Sequence, residues 1–206
     1  MTESAFRQSA APALRTASNP RASHVGISAA RFAAAFFTSD VDALLDEGLK
    51  AIPAESDYAQ MVRSVRAWRK EFPSDWTKAW KKVRATYSKR LNPALRDTNG
   101  DIDVRLNGAA VVLGLVYGDG DFDRSMVIAT RCGWDSDCNP SSVCGVLGCA
   151  KGLSGLDRKY TEKIDRETKF RYTSYNLPEL FALQVFGLLV LKPLGLQLQL
   201  GCLGAA

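Results

Sequence analysis

Asp135 and Asp137 alternate in the stretch GWDSDCNPSS, with Cys138 and Asn139 directly behind them. Alternate side chains of an extended approach share a side, so the two carboxylates can converge. Paired carboxylates with neighbouring oxygen donors suit a hard cation such as Mg2+, Mn2+ or Ca2+. The same residues also read as an acidic helix start. Asn139 is a favoured N-cap, Pro140 suits the first helical position, and Lys151 and Gly152 suit an end. A helix is therefore expected over about 140–151. Its dipole and free N–H groups favour anions just ahead of it, whether carboxylates or a ligand phosphate. On these residues alone, cation site and acidic cap both stay open.

Several other chemistries are excluded or disfavoured. An EF-hand loop starting at Asp135 would need glycine where Pro140 stands and glutamate where Val146 stands. One starting at Asp119 meets Arg124 and Thr130 at those positions. No phosphate-binding or dinucleotide glycine pattern occurs. The single histidine, His24, lies near a polar N-terminus and argues against a Ser-His-Asp or Cys-His site. Cys132, Cys138, Cys144, Cys149 and Cys202 form no C-x-x-C pair, which argues against structural zinc. Unpaired thiols fit a reducing compartment, and a cytoplasmic location is expected.

The elements that must position Asp135 and Asp137 are read from periodicity and punctuation. Residues 27–37, ISAARFAAAFF, form a compact helical stretch. Ser39 or Asp40 can cap the next helix, and Pro53 stops it. Tyr58, Met61, Val65 and Trp68 then recur at helical spacing, as do Trp76, Trp80, Val83 and Tyr87 after the Pro73 break. Residues 61–90 hold ten Lys and Arg against Glu71 and Asp75, whereas residues 91–140 hold four Arg against eight Asp. The aromatics share the apolar stripe and are not free to stack on bases. The basic stretch is thus read as a solvated face, and no nucleic-acid partner is expected.

Residues 92–103 carry Asn-Pro and Asn-Gly loop signals. Residues 106–118, LNGAAVVLGLVYG, are apolar all round and central, and periodicity alone does not separate helix from strand there. A turn, an Asp121 cap and a short helix ending near Gly133 follow. Ser141, Gly145, Gly148 and Gly152 keep the next helix thin, which predicts close packing along it. A polar loop over 151–176 leads to an apolar tail. Its longest run, Leu180 to Leu191, is too short and too broken by Gln184 to span a membrane.

The stretch LNGAAVVLGLVYGDGDFDRSMVIATRCGWDSDCNPSSVCGVLGCAKG resembles the C-terminal half of the ADP-ribosylglycohydrolase family. The likeness lies in an Asn-led buried helix, a GDFDRS-type turn and helix, and G-x-D-x-D-[T/C]-N ahead of a glycine-rich helix. Upstream, AARFAAAFFTSDVDALLDEGLKAIPAESDYAQMVRSVRAWRKEFPSDWTKAWKKV is also similar, and together the resemblance spans roughly residues 24–156. It implies an all-α fold with a dinuclear Mg2+ (or Mn2+) site. The implied activity is hydrolysis of an N- or O-glycosidic bond to ADP-ribose, on a modified protein or a small molecule containing ADP-ribose. By position, Asp135 and Asp137 would be metal ligands, and Cys138 stands where the family uses a threonine hydroxyl. A thiol is a poor Mg2+ ligand, so water or the Asn139 oxygen is expected to take that place.

The family's N-terminal Thr-Asp-Asp segment has no counterpart anywhere in the 206 residues. Thr38-Ser39-Asp40 and Thr98-Asn99-Gly100-Asp101 are the nearest sequences, in the wrong context. The resemblance therefore leads us to expect a domain incomplete on its N-terminal side, a partial binuclear site, and weak or absent activity. A non-catalytic ADP-ribose- or protein-binding remnant is the alternative. Residues 1–23, rich in Ala, Ser and Arg, are expected to be a disordered tail, and 157–206 a polar loop and apolar tail without assignment.

Overall fold

Short oxygen-bearing side chains start helix after helix, each accepting from backbone N–H groups that the first turn leaves unpaired. The computed structural model describes residues 27, 28, 30–88 and 103–183. The tail expected over 1–23, most of the 92–103 loop and the apolar run beyond residue 183 lie outside the described residues. Residues 27, 28 and 30–34 are helical. Asp40, rather than Ser39, caps α1 (Val41–Lys50) by accepting from Ala43 N at 2.7 Å. Ser56 caps α2 (Asp57–Glu71), and Asp75 caps α3 (Trp76–Tyr87) with bonds from Thr77 and Lys78. Asp103 caps α4 (Val104–Gly118), and Asp121 caps α5 (Phe122–Arg131) with a 2.7 Å bond from Arg124 N. The last helix of this series is α6 (Cys138–Lys151). The fold is all-α, and no strand occurs among the described residues.

The ambiguous apolar segment is the central helix. Leu106 and every residue from Gly108 to Gly118 of α4 are buried, because α1, α2, α3, α5 and α6 all pack against it. An amphipathic pattern vanishes when a helix has no solvent face. Close approach is built into its C-terminal end. A Cβ at Gly118 would overlap the Ser125 side chain of α5, and one at Gly114 would sit 2.9 Å from the Ser125 carbonyl. Asp119 and Gly120, at φ 51° and 75°, then turn the chain back into α5.

The two aromatic stripes behave as their spacing predicts. Tyr58, Met61, Val62, Val65, Ala79 and Val83 are fully buried, and Trp68, Trp76, Trp80 and Tyr87 pack against this core. The basic side chains between them are not simply solvated, as the sequence suggested. Arg66 pairs with Asp42 and Asp46 of α1 at 3.0 and 2.6 Å. Arg69 reaches Asp119 at 3.2 Å and lies over the Tyr117 ring. Acids from distant segments thus neutralise part of the face, although exposed pairs of this kind contribute only about 0–1 kcal/mol each.

The chain divides into two units, Met1–Leu156 and Asp157–Ala206. The second has a short 3-10 turn (Arg158–Tyr160) and helical residues 177–183. Asn176 and Glu179 cap that helix reciprocally, each side chain accepting from the other's backbone N–H at 3.1 and 2.8 Å. None of its described residues is buried.

Candidate metal centre

The loop between α5 and α6 makes its turn with two successive left-handed residues, Gly133 at φ 78° and Trp134 at φ 59°. Glycine adopts this conformation freely, but a tryptophan there costs on the order of 1–2 kcal/mol. The ring compensates by packing. Trp134 lies against the core with its centroid 6.2 Å from that of Trp80. Trp80 of α3 in turn donates its indole N–H to the Cys132 carbonyl at 2.8 Å, and the Arg84 guanidinium lies over the Trp80 ring, 4.6 Å from its centroid. A helix far away in sequence therefore holds the start of the loop.

The other end is clamped by one amide. Asn107 Oδ1 accepts from Asp135 N at 3.1 Å and from the Asn139 side-chain amide at 2.9 Å. Its own amide donates to the Asp103 carbonyl at 3.3 Å. A single oxygen on the central helix thus brackets the D-x-D-C-N segment from both sides. Asn107 was visible in the sequence only as the Asn that leads an otherwise apolar helix. That lone amide is the signal that could have placed it beside the site.

The helix start differs from the expected one. Asn139 is not the N-cap and Pro140 is not the first helical residue, because α6 begins at Cys138. Asn139 is buried within the first turn, 3% exposed, where its amide is taken up by Asn107. Tertiary bonding has overridden the local capping preference. Asp137 occupies the N-cap position in right-handed geometry (φ −109°, ψ −45°) and makes no side-chain cap bond. Asp135 supplies that bond instead, its Oδ1 accepting from Cys138 N at 3.2 Å.

The Asp137 side chain meets the Asp135 carboxyl instead of capping the helix. Carboxylate oxygens of Asp135 and Asp137 and the Sγ of Cys138 all lie within 4.8 Å of one another. Asp135 is half-buried, and the other two are exposed. A hydrogen bond with the Asp137 side chain, and then the Cys138 N–H, hold the Asp135 carboxyl below its ordinary range. The hydrogen bond to Asp135 pushes the Cys138 thiol up, with both nearby carboxylates adding to the effect. Among the described residues, no other three His, Cys, Asp or Glu side chains gather in this way. Asp119 is engaged with Arg69, and Asp121 with its own helix start.

The small side of α6 is only partly used. A Cβ at Gly145 would meet the Phe32 ring at 2.9 Å, whereas Gly148 faces open space. The thin-helix expectation thus holds at one glycine. Cys144 and Cys149 are half-buried, and no helix of the described residues is long and apolar enough to cross a membrane.

A family model described as ADP-ribosylglycohydrolase matches residues 1–186. The match extends beyond the 24–156 stretch in both directions. No curated protein and no solved structure gives a significant match to the chain.

Proposed function

Because the chain belongs to the ADP-ribosylglycohydrolase family, we propose that it is a cation-dependent hydrolase of N- or O-glycosidic bonds to ADP-ribose. Its substrate would be an ADP-ribosylated protein or an ADP-ribose-containing small molecule. Asp135 and Asp137 hold a divalent cation, Mg2+ or Mn2+ in the family's usual chemistry. The observation that carries this reading is the convergence of Asp135, Asp137 and Cys138 within 4.8 Å at the family's D-x-D position. Asp137 supports it further, since its side chain makes no cap bond and is turned to the Asp135 carboxyl instead.

Bound at such a site, a divalent cation activates water and stabilises developing negative charge. The chain's own residues fix where that happens. Asn107 sets the separation of Asp135 from Asn139, and the Trp80–Trp134 contact fixes the turn ahead of Asp135. The carboxylates fit a hard cation, whereas the Cys138 thiol does not fit Mg2+. No Thr-Asp-Asp sequence is present to complete a second metal position. We therefore take the site to be one half of a binuclear centre, with weak binding and little or no turnover by this chain alone.

Calorimetric titration with Mg2+ and Mn2+, paired with an ADP-ribosyl-arginine hydrolysis assay, tests the reading. Weak binding that Asp135→Asn abolishes, with little hydrolysis, is expected. Absence of any cation binding would remove the site assignment, and substantial turnover would remove the half-site view. The missing Thr-Asp-Asp also favours a second reading, a binding module that kept the fold without the chemistry. Titration with ADP-ribose separates the two, because binding without hydrolysis supports the module.

A further inference from the structure

We infer that the second unit is a membrane-surface module, in which helical residues 177–183 and the basic, aromatic segment before them rest on an anionic phospholipid bilayer. The inference does not rest on the proposed hydrolysis. It begins with a unit that has apolar side chains and no core. None of the described residues from 157 to 183 is buried, yet Ile164, Phe170, Tyr172, Tyr175, Phe181 and Leu183 are large hydrophobics left exposed. Single exposed apolar residues are ordinary, but six gathered in one unit without a core mark an interaction surface. The backbone holds part of it out. Tyr172 is 90% exposed at φ 65°, a left-handed conformation unfavourable for a tyrosine. The turn closes around it, with Phe170 N donating to the Tyr175 carbonyl at 2.9 Å and Thr173 N to the Phe170 carbonyl at 3.1 Å.

Charge and chain length select the bilayer. Residues 158–171 hold six Lys and Arg, all exposed, against Glu162, Asp165 and Glu167, a net charge of +3. Lys159 lies over Tyr160 and Arg171 over Tyr172, at 4.8 and 5.0 Å from the ring centres. Protein–protein interface cores are depleted in lysine, whereas lipid headgroups favour Lys and Arg beside aromatic side chains. The sequence then turns apolar, and from Leu180 to Ala206 the only charged side chain is Lys192. The described beginning of that stretch, Phe181, Ala182 and Leu183, is exposed instead of packed into a core. An apolar run as short as Leu180 to Leu191 suits a place along a membrane interface and not across it. The aromatic and aliphatic side chains enter the acyl boundary, and the basic ones stay at the phosphates.

Flotation of the full-length chain with vesicles tests this, using phosphatidylcholine alone and phosphatidylcholine mixed with phosphatidylserine. Flotation with the mixed vesicles, reduced by salt and by omission of phosphatidylserine, is expected. Phe181→Asp with Leu183→Asp should weaken binding by roughly tenfold or more. Lys169→Gln with Arg171→Gln should weaken it about fivefold for each charge removed. Val127→Asp, at an exposed apolar residue of α5, should leave it unchanged. Circular dichroism verifies that each variant is folded. No flotation, or flotation unchanged by either pair of substitutions, overturns the inference. Equal binding to the two vesicle types also overturns it, because charge then plays no part. Sedimentation velocity addresses the other occupant, a second copy. If the chain ignores vesicles and self-associates, and Phe181→Asp with Leu183→Asp abolishes that association, the surface is an interface between copies and the membrane reading falls.

Discussion

The starts of α5 and α6 are built from the same residue type and put it to different use. Asp121 sits in extended geometry and bonds Arg124 N at 2.7 Å, so its carboxylate is committed to the helix. Asp137 sits in right-handed geometry and makes no such bond, while Asp135 takes over the cap. One helix start uses one aspartate for stability alone. The other uses two: Asp135 takes the cap, and the Asp137 side chain hydrogen-bonds the Asp135 carboxyl. An acidic residue ahead of a helix is ordinary, and a pair with divided duties is what sets the start of α6 apart from that of α5.

That contrast depends most on the clamp from the central helix. Asn107→Leu should unmake it, leaving the Asp135 N–H and the Asn139 amide without their acceptor. A loss of about 2–4 kcal/mol is expected from two such groups, read by denaturant melts, together with loss of cation binding. A stability change under about 0.5 kcal/mol would mean that the loop holds its shape by itself.

The strut between the two helix starts supplies a pH test. Burial pushes the Cys132 thiol from 9.0 up to about 12. The sign follows from linkage. The folded state keeps this proton more tightly than the unfolded state, so its contribution is whole below pH 9 and declines as pH rises toward 12. Stability should fall by roughly 1.4 kcal/mol per pH unit within that window. Urea midpoints between pH 8 and 10.5 check this, with Cys132→Ala expected to flatten the slope. An unchanged slope in the variant would assign the decline to other groups, Tyr58 among them, whose hydroxyl burial also pushes up.

Swapping the two aspartates in turn sharpens the comparison directly. Asp121→Ala should cost about 1 kcal/mol, the usual value of a lost cap, and leave cation binding intact. Asp137→Asn should change stability by less than about 0.5 kcal/mol while abolishing cation binding. Thermal melts with calorimetry read both. Equal destabilisation by the two substitutions would show that Asp137 is an ordinary cap after all.

Much of this site could be read locally. Asp135, Asp137 and Cys138 lie within four consecutive residues, so any turn that enters a helix keeps them near one another. Asp40 and Asp121 were legible as caps for the same reason, since a cap reaches only two or three residues ahead. The helix start was misplaced by two residues because Asn139 is a strong local cap whose amide a distant partner claims. The basic stretch was misread in part because its acids, Asp42, Asp46 and Asp119, come from elsewhere in the chain.

By itself the sequence determined the helical stripes of α2 and α3, the caps of α1 and α5, and the family to which the D-x-D-C-N segment belongs. All of these depend on spacings shorter than two helical turns or on residue identity. Only the tertiary structure decided that residues 106–118 are a helix, because a segment buried on every side carries no period to read. It alone placed Asn107 between Asp135 and Asn139, a contact spanning 28 and 32 residues of chain. Local spacing encodes which groups can cap or align. Packing decides which of them keep that local role and which, like Asn139, are claimed by a distant partner.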